Sequence, residues 1–288
     1  MPVRKRIFGT MIPNVPDTAT DTSPDSGRRA ATASPSLLEA AIERGGLHPF
    51  FHAKVSLADR RIVGAEALAR WTHEGEAISP GEFVPIAEDS GLILPLGRLV
   101  IDKAAATLAA WDKQLGRAMP VGISVNVSPI QLARDDIIAV VQQALERHQI
   151  DGRRLIIEVT ESSVVRNPDT ADAILRALTD LDVRIAMDDF GTGYSNIASL
   201  QRLPIHTLKI DRSLVAGIDT SADSLAIVRT IQRLAEALGL RTTAEGIETE
   251  TVAQQIAAIG CDVGQGYLFS RPLDPDAAFE SWKRGQGR

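Results

Sequence analysis

Cysteine is nearly absent: Cys261 is the only one in 288 residues. No intramolecular disulfide can form, which favours a reducing compartment. No apolar run approaches the ~20 residues needed to cross a bilayer. The basic start, MPVRKRIFGTMIP, lacks the long apolar region and small-residue cleavage site of a secretory leader, so the expected location is cytoplasmic and off the membrane. A basic surplus is missing too. Net charge is −6, which argues against a chain that holds DNA or RNA by its phosphates alone. Any phosphate ligand would need metal ions or a few local cations to offset the repulsion. The five histidines (His48, His52, His73, His148, His206) fall at no metal-ligand spacing and read as structural or surface residues.

Hydrophobic residues at 44% and charged residues at 24% describe an ordinary soluble globular chain. Its length suits one closed α/β barrel, which runs to ~250 residues as a single domain. Residues 1–35 are rich in Pro, Thr, Ser, Asp and Ala and read as a disordered tail, or as a linker to a partner domain. Residues 36–288 read as one barrel domain. It begins with a helix in SPSLLEAAIERGG, with Ser36 as N-cap and Gly45 and Gly46 as its stop. From residue 48 onward short β-rich segments alternate with helical ones. PFFHAKVSL, RIVGAEALARW, VGISVNVS, RLIIEVTES, RIAMDDFG, TLKIDRS, RTTAEGIE and VGQGYLF supply eight strand candidates. Between most of them lie patterns such as DDIIAVVQQALERHQI and SLAIVRTIQRLAEALGL. That alternation predicts a (βα)8-type barrel. The turn ADRR between the first two strands is too short for a parallel crossover, so the first strand should be antiparallel.

Nearly every strand candidate turns acidic or amide at its C-terminal end: Glu66, Asn126, Glu158 with Glu161, Asp188 with Asp189, Lys209 with Asp211, Glu245 with Glu248, and Gln265. Function sits at that mouth in barrels of this kind. Any one acid could be a helix N-cap. Several lie inside apolar runs, however, and buried carboxylates are costly unless paired or bound to metal. An all-oxygen set without His or Cys selects a hard cation, Mg²⁺ or Mn²⁺, over zinc. Lys209 would either orient or deprotonate a water or form a salt bridge with a neighbouring acid. Asp188 and Asp189 pose a puzzle, because neighbours on a strand point to opposite faces. At a strand end the constraint relaxes, and the pair could contact two cations at once. Two cations held this way suit phosphodiester hydrolysis; a single metal with Lys209 as base would suit a barrel lyase or enolase.

EALARW (66–71), NVS (126–128), EVTE (158–161), DDFGTGYS (188–195), KID (209–211), AEGIET (244–249) and QGY (265–267) come in order. With these motifs the chain resembles the EAL-domain cyclic-di-GMP phosphodiesterases over roughly residues 37–280. The resemblance implies a modified TIM barrel that hydrolyses cyclic di-GMP to linear pGpG by two-metal activation of a water nucleophile. It implies Glu66, Asn126, Glu158 and Asp188 as ligands of the first Mg²⁺ or Mn²⁺. Asp188 would bridge to the second, which Asp189 also binds. Lys209 matches the lysine that positions or activates the water, and Glu245 the glutamate at the metal and water cluster. Glu161 matches the anchor of the loop after the fifth strand. Leu68, Arg70, Asp211 and Gln265 match residues on the substrate side, with Arg70 on a phosphate. His52 and Ala53 stand where the family usually has Gln-Pro, at the border of the nucleotide pocket. Degenerate members bind nucleotide or protein partners without catalysis, and the acids and lysine they usually lose are all present here. A homodimer and a regulatory protein partner are further family expectations.

Overall fold

The structure, a computed structural model, describes residues 33–166, 168–191 and 197–286. Most of the expected tail, residues 1–32, lies outside them. Residues 33–35 do not belong to a tail: Ala33 is buried and its N–H donates to Glu82 Oε1 at 2.9 Å.

The strands, numbered in chain order, are β1 (Leu47–Ser56), β2 (Ile62–His73), β3 (Glu76–Ile78), β4 (Gly122–Val127), β5 (Leu155–Thr160), β6 (Arg184–Phe190), β7 (Thr207–Ile210), β8 (Arg241–Ala244) and β9 (Val263–Gly264). All but β3 are staves of a closed barrel, because β1 pairs with both β2 and β9. Closure leaves no edge among these staves for stray pairing. As the short ADRR turn predicts, β1 runs antiparallel to both neighbours, while every other stave pair is parallel. The turn is made with Arg60 in the left-handed region, φ 60°. β3 extends β2 as a hairpin outside the barrel.

The helices are α1 (Pro35–Arg44), α2 (Pro80–Ser90), α3 (Ile93–Leu115), α4 (Pro129–Arg134), α5 (Ile137–His148), α6 (Glu161–Arg166), α7 (Pro168–Asp180), α8 (Ile197–Arg202), α9 (Arg212–Val215), α10 (Ala222–Ala237), α11 (Glu250–Ile259) and α12 (Pro275–Gln286). The N-cap of α1 is Ser34, not Ser36: Pro35 fits the first turn, and Ser34 Oγ accepts from Leu37 N. The short helices α4, α6, α8 and α9 escape the sequence reading because their few residues cannot show a helical period. α12 also lies outside the helical patterns of the sequence. Its apolar residues close an aromatic seam with α3 and β1: Phe51 meets Trp111 edge-on at 5.3 Å, and Phe279 lies between Trp111 and Trp282.

Side chains alternate along each strand, and the two columns differ sharply here. One column, including Ile123, Val125, Ile157, Val159, Ile185, Met187, Leu208 and Ile210, is buried in the apolar core. The other faces the barrel axis. It runs Gly64–Glu66, Gly122–Ser124–Asn126, Ile156–Glu158, Arg184–Ala186–Asp188, Thr207–Lys209 and Arg241–Thr243, with Glu245 and Gln265 continuing it past the ends of β8 and β9. The parallel strands therefore deliver their acidic and amide residues to the C-terminal mouth, while Arg184 and Arg241 start their strands at the opposite end.

One glycine holds the α3–α4 packing. A Cβ on Gly97, inside α3, would sit 1.9 Å from Gln131 Nε2. Gln131 and Ser128 form the capping box of α4, with Gln131 Oε1 accepting from Ser128 N at 3.1 Å. Gly→Ala inside a helix normally stabilises by about 1 kcal/mol. Here Gly97→Ala should instead cost about 1–2 kcal/mol, because the overlap expels a buried side chain from its cap. Urea unfolding checks the sign.

Candidate active site

At the C-terminal mouth of the parallel strands, four carboxylates surround one ammonium. Lys209 Nζ lies 2.6 Å from Glu158 Oε2, 2.7 Å from Glu245 Oε1, 2.9 Å from Asp188 Oδ2 and 3.9 Å from Glu66 Oε1. Glu66, Glu158, Asp188 and Lys209 are buried and Glu245 is partly buried. The ion-pair reading of Lys209 is thus realised. Glu66 corrects one expectation: it sits well inside β2, which overshoots the mouth by pairing onward with β1 and β3. Asn126 Nδ2 donates to Glu66 Oε1 and Gln265 Nε2 to Glu66 Oε2, each at 2.7 Å. Gln265 Nε2 also lies 3.0 Å from His52 Nδ1, and His52 Nε2 lies 3.1 Å from the Ser270 carbonyl. That network assigns a neutral His52 that accepts through Nδ1 and donates through Nε2. Burial pushes its pKa below the usual value.

The adjacent aspartates meet their geometry differently from the expected strand-end turn. Met187 pairs with Leu208 and Phe190 with Ile210, so Asp188 and Asp189 together oppose the single residue Lys209. This is a β-bulge, and Asp189 takes the left-handed conformation, φ 57°. The strand resumes at Phe190 before the chain turns at Gly191, whose φ of 97° favours glycine. The bulge breaks the period-2 rule within the strand. The charge of Asp189 accordingly acts on Asp188.

Charge in the cluster is unbalanced. Burial raises the Glu158 pKa, but Lys209 and Lys54 outweigh it and hold the carboxyl at about 2. Asp188 goes the other way, to about 7, through burial and the charges of Glu158, Asp189 and Glu66, against the pull of Lys209. Glu245 is also raised well above the ordinary range, by burial first and then by Asp188 and Glu66. Lys209, despite burial, is held charged by the surrounding acids. Fully ionised, these four carboxylates would carry more negative charge than Lys209 and Lys54 neutralise, and the raised Asp188 and Glu245 reflect that excess. An oxygen-only donor set with that deficit fits hard divalent cations. The carboxylates presently face the ammonium, and among the described residues no three His, Cys, Asp or Glu side chains form a ready cation cage.

Other expected residues fall around the cluster. Arg70 is half-buried, donating Nη1 to the Ala69 carbonyl at 3.0 Å. Leu68 is buried and lines a small cavity with Asn126 and residues of α2 and α3. Asp211 is buried and caps α9, accepting from Ser213 N at 2.9 Å, so its carboxylate acts as an N-cap. Glu161 opens α6 directly after β5. Most of the loop it was expected to anchor, residues 192–196, lies outside the described residues.

Two residues near the cluster do not stand out in the sequence. Lys54 Nζ reaches Glu158 Oε1 at 2.5 Å and Ser124 Oγ at 2.7 Å. Glu158 thus has one ammonium on each oxygen. The available signal was a lysine inside the apolar strand FHAKVSL. Tyr267 stands 6.0 Å from the His52 ring, with the Arg271 guanidinium 4.6 Å over its face. Lys54→Met should cost about 2 kcal/mol by leaving one oxygen of a buried carboxylate without its charged donor. A lower urea midpoint at unchanged slope is the expected measurement.

The fold and site define a (βα)8-type barrel with a carboxylate–lysine cluster at the C-terminal mouth of its parallel strands. Residues 36–272 match the EAL domain, and the chain belongs to the EAL-domain family. The bifunctional diguanylate cyclase/cyclic di-GMP phosphodiesterase MucR of Pseudomonas aeruginosa is 38% identical over 245 residues, covering 85% of this chain and 36% of that protein. The cyclic di-GMP phosphodiesterase PA2567 of the same organism is 36% identical over 258 residues, covering 89% of this chain and 43% of that protein. The chain thus spans 36–43% of the length of these curated relatives. Among solved structures, the MucR phosphodiesterase in complex with c-di-GMP superposes with a TM-score of 0.80 at 38% identity, covering 84% of this chain and 98% of that one. The EAL domain of Mycobacterium smegmatis DcpA gives 0.70 at 32% identity, covering 84% and 97%. No helix among the described residues is long and apolar enough to cross a membrane.

Proposed function

We propose that this chain is a divalent-metal-dependent phosphodiesterase that hydrolyses cyclic di-GMP to linear 5′-pGpG. The observation that carries the reading is the overcharged cluster of Glu66, Glu158, Asp188 and Glu245 around Lys209. It stands in a family with relatives named as cyclic di-GMP phosphodiesterases. Glu66, Asn126, Glu158, Asp188, Asp189 and Glu245 would hold two Mg²⁺ or Mn²⁺ ions. When bound, such ions supply Lewis-acid stabilisation of the phosphoryl oxygens and of the attacking and leaving groups. Lys209 orients the attacking water and holds a proton at Nζ. Arg70 supplies a cation to a substrate phosphate, which a net-acidic chain needs. Leu68, Gln265 and His52 border the substrate, with Gln265 also fixing Glu66. Asp211 holds α9 in place beside them, and Glu161 would support the loop after β6. Water adds to phosphorus, the P–O3′ bond breaks and the 3′ oxygen takes a proton, leaving a 5′-phosphorylated dinucleotide. The active unit is read as a homodimer open to a regulatory protein partner.

Timed incubation with cyclic di-GMP and Mg²⁺ or Mn²⁺ tests this: pGpG should appear, and EDTA should stop it. Absence of product with either ion would sink the reading. A second reading, a nucleotide receptor without turnover, draws on His52, whose ring engages Gln265 in place of the family's usual glutamine. It predicts tight nucleotide binding in Ca²⁺ with no Mg²⁺-dependent product.

A further inference from the structure

The barrel has a second mouth. At the N-terminal ends of the parallel strands, away from the carboxylate cluster, lies a cavity of about 450 Å³. Barrels of this class fill their axis with layers of bulky branched side chains. Here the axis-facing positions at this end include Gly64, Gly122 and Ala186, which are too small to meet across it. Small residues leave the space, and charged ones line it.

Those charges share one sign. Arg184 is the first residue of β6 and Arg241 the first of β8. Thr207 of β7 stands between those strands, pairing with Ala186 on one side and Arg241 on the other. The two guanidiniums therefore start alternate strands at the same end, are exposed, and make no ion pair among the described residues. Arg153 also lines the cavity but is engaged by Asp151. His206 Nδ1 accepts from Ile185 N at 3.1 Å, which assigns the ring proton to its other nitrogen. Lys54 lines the same cavity while reaching Glu158. No Asp or Glu lines it, in a chain whose net charge is −6.

We propose that this lower mouth is a binding site for a small phosphate-class polyanion, separate from the phosphodiester site. Two unpaired guanidinium forks at one concave mouth match the paired oxygens of phosphoryl groups. The volume falls in the range of small-molecule pockets. Apart from His206, no aromatic ring lines it, so there is no platform for a nucleobase, and inorganic pyrophosphate is the matching probe.

The experiment titrates the EDTA-treated 288-residue chain with pyrophosphate and with phosphate, against sodium chloride of equal ionic strength, and reads the melting temperature. Pyrophosphate should give a saturable rise, roughly 5 °C or more at a hundredfold excess over Kd. Phosphate should give a smaller rise and chloride none. Arg184→Gln with Arg241→Gln should abolish the rise, and an undiminished rise in that double variant overturns the proposal. Should that variant not fold, wild-type protein is treated with phenylglyoxal and the modified arginines are identified by mass spectrometry. Pyrophosphate should then protect Arg184 and Arg241, and equal modification with and without it is a negative result. A chloride response equal to that of pyrophosphate also overturns the site.

Discussion

Glu66→Ala should leave a folded protein whose cyclic di-GMP turnover falls at least about a thousandfold, equivalent to roughly 4 kcal/mol of lost transition-state stabilisation. The expectation of intact folding follows from the charge imbalance. Glu66 is one of four acids around Lys209 and, at 3.9 Å, the most distant from it. Its removal relieves Asp188 and Glu245, both raised in part by its charge. The loss is two amide contacts, from Asn126 and Gln265, worth about 1 kcal/mol each. Metal binding should weaken in parallel, which Mn²⁺ titration followed by electron paramagnetic resonance reads without any turnover. Unchanged Mn²⁺ affinity beside lost activity would remove Glu66 from the metal set. Full activity would remove it from the site.

Lys209→Met should lower stability in metal-free buffer by about 3–5 kcal/mol, the scale for leaving buried charges without their partner. Glu158 and Asp188 are buried, and Lys209 is their shared cation. Glu158 keeps Lys54 on its other oxygen, whereas Asp188 loses its ion-pair partner. Added Mg²⁺ or Mn²⁺ should recover much of the loss, because a hard cation supplies the positive charge that the ammonium gave. Activity should stay low even then, since Lys209 is the proposed proton-holding group. Urea unfolding with EDTA and with excess metal provides the test. A variant as stable as wild type in EDTA, or one indifferent to metal, would contradict this account of the cluster.

Much of this architecture follows from local chemistry that a linear reading captures. The antiparallel β1 follows from the length of ADRR, because no parallel crossover fits in four residues. The acids of IIEVTE, AMDDF and TAEGIE announce themselves as polar residues inside apolar runs, and one from each segment, Glu158, Asp188 and Glu245, meets Lys209. SPS offers two serines as N-cap of α1, and Pro35 decides for Ser34 only once the helix start is known. The short helices are set by their tertiary surroundings rather than by periodicity.

The chain by itself determined which residues are polar within buried strands, and hence which columns meet at the barrel axis. Alternation is a property of every strand, independent of its partners. The tertiary structure decided the matters that depend on register and reach. It placed Glu66 at the mouth although β2 continues beyond it, and it opposed two aspartates to one lysine through a bulge that no sequence period reveals. It also brought Lys54 from the antiparallel strand to the second oxygen of Glu158. Side-chain reach across a closed barrel depends on pairing between residues distant in the chain, and pairing exists only after the barrel closes.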